Sequence, residues 1–167
     1  MANASGLRVR PARPTEAAAL TAVCHRSKAH WGYDADFMRR SAPALTVTPA
    51  MIEAGRVLVA EDAAGGLAGV AAIEPLAEPG RFDLALLFVD PPAIGTGAGR
   101  ALFAAAVRLA QEAGGARLSI LADPFAEAFY LRLGAVRVGE APSDAIPGRR
   151  LPLLDFELRS SGAAAVS

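Results

Sequence analysis

The stretch "VDPPAIGTGAGRAL", Val89 to Leu102, decides how the chain is read. It sets a strand end, two prolines and the alternating glycines Gly95, Gly97 and Gly99 in front of an alanine-rich helix. Where a strand end meets a helix start, unpaired backbone N–H groups converge and the helix dipole favours negative charge. Such a place binds phosphate, and glycine lets the ligand come close to bare backbone. For any single glycine, a tight turn with close helix packing is the plainer reading. Three at every second position exceed what a turn needs, and Arg100, just inside the helix, adds a cation.

Two common phosphate loops do not fit these residues. A nucleoside-triphosphate loop needs a longer gap between glycines and then Gly-Lys-Ser/Thr, whereas Gly99 is followed by Arg100 and Ala101. A dinucleotide fingerprint, Gly-x-Gly-x-x-Gly, needs glycine where Arg100 stands, and it follows an initial parallel strand. Here a meander leads into the loop.

Working outward, "LRVRPA" alternates as a strand. "RPTEAAALTAVCHRSKAHW" follows as a helix opened by Pro14 and Thr15, with Leu20, Val23 and Cys24 on one face. "YDADFMRRSA" reads as a short helix closed by Pro43, and "TPAMIEAG" as a helical turn begun by Thr48 and stopped by Gly55. "RVLVAED", "GLAGVAAIEPL" and "RFDLALLFVD" form a three-strand meander. Past the loop, a helix runs from about Gly97 to Ala113, with Leu102, Ala105, Ala106 and Leu109 facing a sheet. "ARLSILA" is strand, "PFAEAFYLRLG" helix, and "AVRVGEA" and "LLDFEL" are strands. The order gives an α/β fold: a mixed sheet with helices on its faces.

Composition limits the partners. The 167 residues suit one domain, expected over 1–167 with its core at 7–158 and fraying ends at 1–6 and 159–167. Lys plus Arg equals Asp plus Glu at 17 each, so no bulk field draws the chain to nucleic acid or an anionic membrane. Cys24 is the only cysteine and His25 and His30 the only histidines, which argues against a disulfide and a structural metal. A reducing cytoplasm is the expected compartment. The first residues lack a signal pattern, and apolar runs such as "LALLFV" fall far short of a membrane span.

Two segments resemble the GNAT acetyltransferases. The loop of that family reads Arg/Gln-x-x-Gly-x-Gly/Ala after a strand ending Val-x-Pro. Here Val89, Pro91, Gly97, Gly99 and the following "RAL" supply it, with Ile94 where Arg or Gln is usual. A second motif, an acid or Asn followed by Ala-x-x-Phe-Tyr-x-x-x-Gly, is similar to "DPFAEAFYLRLGA", Asp123 to Ala135. The resemblance in element order covers Leu7 to Leu158. It implies a mostly antiparallel mixed sheet of about six or seven strands with helices on both faces. It also implies N-acetyl transfer from acetyl-CoA, without a metal, to a primary amine of a small molecule or peptide by direct attack.

Under that resemblance, Ile94, Gly95, Thr96, Gly97, Ala98, Gly99 and Arg100 take the diphosphate. Leu87, Phe88 and Val89 pair with the pantetheine amides as an added strand would, and a backbone N–H near Leu87 or Phe88 meets the oxyanion. Pro91 and Pro92 lack N–H donors, so they end sheet pairing and let this strand part from "ARLSILA". Asp123, Phe125, Ala126 and Phe129 complete the cofactor site. Tyr130 is the acid for the departing thiolate, since a phenol's pKa near ~10 is not far above a thiol's ~8.5. Asp83, placed by alternation on the face of Ala85 and Leu87, is the base, with Glu74 second.

His30, Trp31 and Tyr33 are expected to wall the acceptor site, and Arg149 in "IPGRRLPLL" to pair with an acceptor carboxylate. Plainer readings stand beside these: Phe125 and Phe129 as core aromatics, Trp31 and Phe37 as helix anchors, and "IPGRRLPLL" as a hairpin loop. Two other classes also fit the loop, a CoA-binding protein with degenerate catalysis and an unrelated anion- or nucleotide-binding α/β module. The acceptor's identity, and the choice between a monomer and a homodimer, stay open.

Overall fold

The apolar runs of the meander are strands covered on both faces. The computed structural model describes residues 6–158; apart from Gly6, the ends expected to fray lie outside the described residues. In chain order the elements are β1 (Arg8–Pro11), α1 (Ala17–Ala29), α2 (Ala35–Ser41), α3 (Pro49–Glu53), β2 (Val57–Glu61), β3 (Leu67–Pro75) and β4 (Arg81–Val89). After these come α4 (Ala98–Glu112), β5 (Arg117–Leu121), α5 (Glu127–Arg132), β6 (Val136–Pro142) and β7 (Arg150–Glu157). The strands form one seven-stranded sheet in the order β1-β2-β3-β4-β5-β7-β6. Every pairing is antiparallel except β4 with β5.

Local signals set the helix starts. Pro14 begins a 3-10 turn that leads into α1, Asp34 caps α2 through Phe37 N–H, and Thr48 caps α3 through Met51 N–H. Pro43, expected to close the second helix, instead sits in a 3-10 turn, Ala42–Leu45, that continues from α2. Proline is tolerated in a first turn because its missing N–H has no intrahelical partner there anyway. The helix expected over "PFAEAFYLRLG" is shorter, starting only at Glu127.

Period-two alternation sends β2 and β3 side chains to two cores. Leu58, Ala60, Ala71 and Ile73 pack with Leu102, Phe103 and Ala106 of α4. Val57, Val59, Val70 and Ala72 pack with Leu20, Val23 and Cys24 of α1. Leu102 is fully buried, so truncating it to Ala costs about 2–5 kcal/mol. A Cβ at Gly69 would lie 2.8 Å from Leu102 Cδ1 and 2.9 Å from the Phe88 carbonyl oxygen. Glycine at that position lets α4 lie close on the sheet.

The alternation breaks on β4. Ile73 pairs with Leu84 and Ala72 with Leu86, which leaves Ala85 as a bulge. A bulge bends a strand and increases its twist. Parallel pairing of β4 with β5 is confined to Arg81–Arg117, Phe82–Leu118 and Asp83–Ser119, and it stops just before this bulge. The parting of the strands therefore begins at Ala85 and not at Pro91 and Pro92 as the sequence suggests; the prolines only form a short 3-10 turn beyond the strand end. The bulge also corrects the face assignment. Ala85 packs with the α1 core, but Leu87 packs with the α4 core, so Asp83 and Leu87 do not share a face.

Candidate active site

The glycine loop has the backbone that phosphate binding needs. Gly97 caps α4 in the left-handed conformation at φ 91°, and Gly95 is left-handed at φ 84°. Residues with a Cβ rarely adopt such angles. The amides of Gly97, Ala98 and Gly99 make no backbone hydrogen bond among the described residues, and the first helical bond runs from Ala101 N–H to Gly97 O at 3.0 Å. Bare donors thus converge at the positive end of a fifteen-residue helix. Gly99 faces Phe129 and Val89, where a Cβ would come within 3.3 Å and 3.4 Å.

A cleft of about 960 Å³ runs from this loop into the parting of β4 and β5. Its lining includes Leu87, Phe88 and Val89, then Ile94, Gly95, Gly97, Ala98, Gly99 and Arg100, and, from the second motif, Asp123, Phe125, Ala126, Phe129 and Tyr130. The sequence candidates for the cofactor site thus converge, with one exception. Thr96 turns into a smaller neighbouring depression, and its hydroxyl donates to Ala93 O at 2.5 Å. Beyond the β5 pairing, the edge of β4 that faces β5 lies along the cleft without a strand partner. An extended chain with amides fits such an edge.

Tyr130 lies on the cleft wall with its ring against Phe103 and Phe129. Its hydroxyl makes no hydrogen bond among the described residues. Burial, helped by the charge of Asp123, pushes the phenol well above its ordinary range, so it stays protonated. Asp83 is the last β4 residue paired with β5, at the foot of the parting. Burial, with the nearby Asp144 and Glu74, pushes its carboxyl up to about 6. Glu74, the second candidate base, pairs with Arg56 at 3.3 Å.

Of the expected acceptor wall, Trp31 lines the cleft, stacked on Phe125 with centroids 5.1 Å apart. His30 stands edge-on to Trp31, outside the cleft lining. Tyr33 and Arg149 lie behind the wall in a network centred on Asp123. The Asp123 carboxylate accepts from Lys28 Nζ at 2.6 Å, Tyr33 Oη at 2.9 Å and Phe125 N–H at 2.9 Å. Arg149 donates to Tyr33 Oη at 2.8 Å and lies over the Phe37 ring at 4.8 Å. Burial opposes ionisation of Asp123, but Lys28 and the Phe125 amide outweigh it and hold the carboxyl below its ordinary range. The carboxylate expected at the cofactor is thus bonded to protein.

Lys28 was not among the sequence candidates. One signal marks it: of 17 basic residues it is the only lysine. Arg26, one turn away on the C-terminal side of α1 from Val23, was also passed over; it ties α1 to the head of the glycine loop through Asp90, at 2.9 Å and 3.1 Å. Among the described residues there is no group of three or more His, Cys, Asp or Glu that could hold a metal ion, and no helix long and apolar enough to cross a membrane.

A seven-stranded mixed sheet opened between its two parallel strands, with a glycine turn heading the helix beside the opening, is the architecture of an N-acetyltransferase fold. The chain belongs to the GNAT acetyltransferase family: residues 35–145 match the acetyltransferase (GNAT) domain. It is by family an acetyl-CoA-dependent acyltransferase. No curated protein matches the chain. Among solved structures, it is similar to a GCN5-related N-acetyltransferase from Rhodopseudomonas palustris, with 24% identity and TM-score 0.72 over 92% of this chain and 96% of that one. An acetyltransferase structure from Salmonella typhimurium, solved with acetyl-CoA, matches at 20% identity and TM-score 0.67 over 93% and 96%. N-acetylglutamate synthase from Neisseria gonorrhoeae, solved with coenzyme A and N-acetyl-glutamate, matches at 21% identity and TM-score 0.67 over 92% of this chain and 35% of that one. These likenesses show the fold.

Proposed function

We propose that this chain, as a single domain in the cytoplasm, transfers the acetyl group of acetyl-CoA to a primary amine of a small molecule or peptide by direct attack. The observation that carries the reading is the parting of β4 from β5 above Asp83 and Ser119, which opens into the same cleft as the bare amides of Gly97 to Gly99. Acetyl-CoA supplies a thioester, a pantetheine arm and a diphosphate. The loop amides and Arg100 hold the diphosphate, and the open edge of β4 at Leu87 to Val89 holds the arm. An amide at Leu87 or Phe88 donates to the thioester oxygen.

Asp83 takes the proton of the acceptor ammonium, directly or through one water. Its raised carboxyl leaves it mostly ionised at neutral pH yet basic enough to work. As the C–S bond breaks, Tyr130 donates its hydroxyl proton to the departing sulfur, and the second proton lost by the attacking nitrogen, as it becomes an amide, restores the phenol. Burial makes this phenol a weaker acid than an ordinary one, so the hydroxyl acts first as a hydrogen-bond donor to the developing thiolate. Direct attack fits the chain's lone cysteine: Cys24 is buried in the α1 core, and burial pushes its thiol up to about 12, far from the state of an acyl-carrying nucleophile. Equilibrium titration tests the cofactor half of the reading. CoA should bind saturably and clearly better than ATP; preference for ATP would place the chain with nucleotide binders, and CoA binding without acetyl transfer would make it a degenerate relative.

A further inference from the structure

The charges on one wall of the cleft do not balance. Lys28 and Arg149 both face Asp123, at 2.6 Å and 3.8 Å, and no other carboxylate lies within ion-pair distance of either among the described residues. All three are substantially buried, with side-chain exposures of 13% for Lys28, 21% for Arg149 and 14% for Asp123. Two cations against one carboxylate leave an excess of one positive charge in a poorly solvated place. Such a charge is costly unless an anion meets it.

Tyr33 does not supply that anion. Its phenol donates to Asp123 and accepts from Arg149, and burial with the Asp123 charge raises its pKa, so it stays neutral. The diphosphate loop has its own cation in Arg100, on α4, while Lys28 reaches the cleft from α1. Around the excess charge, Trp31 and Phe125 give the cleft an apolar wall. Asp83 stands at the foot of the parting, next to the cleft-lining Leu84, with Asp144 near enough to raise its carboxyl, and neither carboxylate has a hydrogen bond or ion pair among the described residues.

We infer that the acceptor is an amine that also carries a carboxylate or an equivalent monoanion, and that Lys28, supported by Arg149, is the specificity-determining residue that reads this group. The inference rests on the acetyl-transfer reading. The acceptor's anion meets Lys28 and completes the charge of the Lys28, Asp123 and Arg149 set, while its amine points toward Asp83.

The test compares acetylation of common L-amino acids with that of the amines left by their decarboxylation, with aminoalkyl phosphonates as a second source of anion. The wild type should favour the anionic partner of its best matched pair by about 10- to 100-fold in kcat/KM. Lys28→Met should remove most of that ratio, Lys28→Arg should keep much of it, and Arg149→Met should reduce it, all with CoA affinity unchanged. Equal use of matched amines by the wild type, or a ratio untouched by Lys28→Met, would overturn the inference while leaving acetyl transfer intact. A loss of CoA affinity in Lys28→Met, with the ratio preserved, would assign the charge to CoA and overturn it as well. No transfer to any amine would overturn both readings.

Discussion

Asp83 and Ser119 are the last residues that β4 and β5 share. Asp83 thus lies at the foot of the opening, outside the residues that line the cleft, and burial with Asp144 and Glu74 raises its carboxyl to about 6. As the proposed base it must be ionised, so kcat/KM should rise with pH through about 6. Asp83→Asn should remove this acidic limb and lower kcat by about 10²- to 10⁴-fold. A pH–rate profile of both proteins with a fixed acceptor reads this directly.

The same carboxylate should weaken the fold. Its folded pKa lies above the ordinary 3.8, so the folded chain holds this proton more tightly than the unfolded chain does. The stability it contributes is full below the unfolded value and is lost as pH rises through about 6. At pH near ~8 the wild type therefore carries a poorly solvated charge, and Asp83→Asn should be more stable there by about 1–2 kcal/mol, discounted for partial exposure. Denaturant unfolding of both proteins at acid and alkaline pH should show this gain shrinking toward acid.

Tyr130→Phe keeps the ring against Phe103 and Phe129 and deletes a hydroxyl with no bond among the described residues. Folding and CoA affinity should hardly change, while kcat falls by about 10²-fold or more. Steady-state kinetics with a CoA titration separate the two effects. Unchanged turnover would remove Tyr130 from the reaction.

The glycine loop proposed to hold the diphosphate brings one side-chain cation, Arg100, to the cleft, and Ile94 is exposed there. Arg100→Ala should weaken CoA by about tenfold and pantetheine hardly at all, since only CoA brings the diphosphate. Ile94 is 47% exposed, so arginine is accommodated without repacking, and Ile94→Arg should tighten CoA by several-fold. Calorimetric titration with CoA and pantetheine reads both changes.

Much of this site was legible in order along the chain. Gly95 and Gly97 announce a left-handed turn, Gly99 follows in the first turn of α4, and helix starts follow from Pro14, Asp34 and Thr48. The bulge at Ala85 was not legible. "LALLFV" is apolar throughout because β4 is covered on both faces, so no change of residue type marks where the alternation slips. That slip moves the parting of the strands away from the prolines and separates Asp83 from the face of Leu87. The Asp123 network was equally hidden, because Lys28, Tyr33 and Arg149 reach it across 95, 90 and 26 positions of sequence. Only the solitary lysine hinted at it.

The central claim is that the opening above Asp83 and Ser119 performs acetyl transfer, and the most direct measurement is release of the CoA thiol from acetyl-CoA across an amine panel. The account predicts release that depends on the acceptor, matches acetylated product one for one, and falls sharply in Tyr130→Phe. Release that no amine accelerates, or that yields no acetylated product, would contradict it.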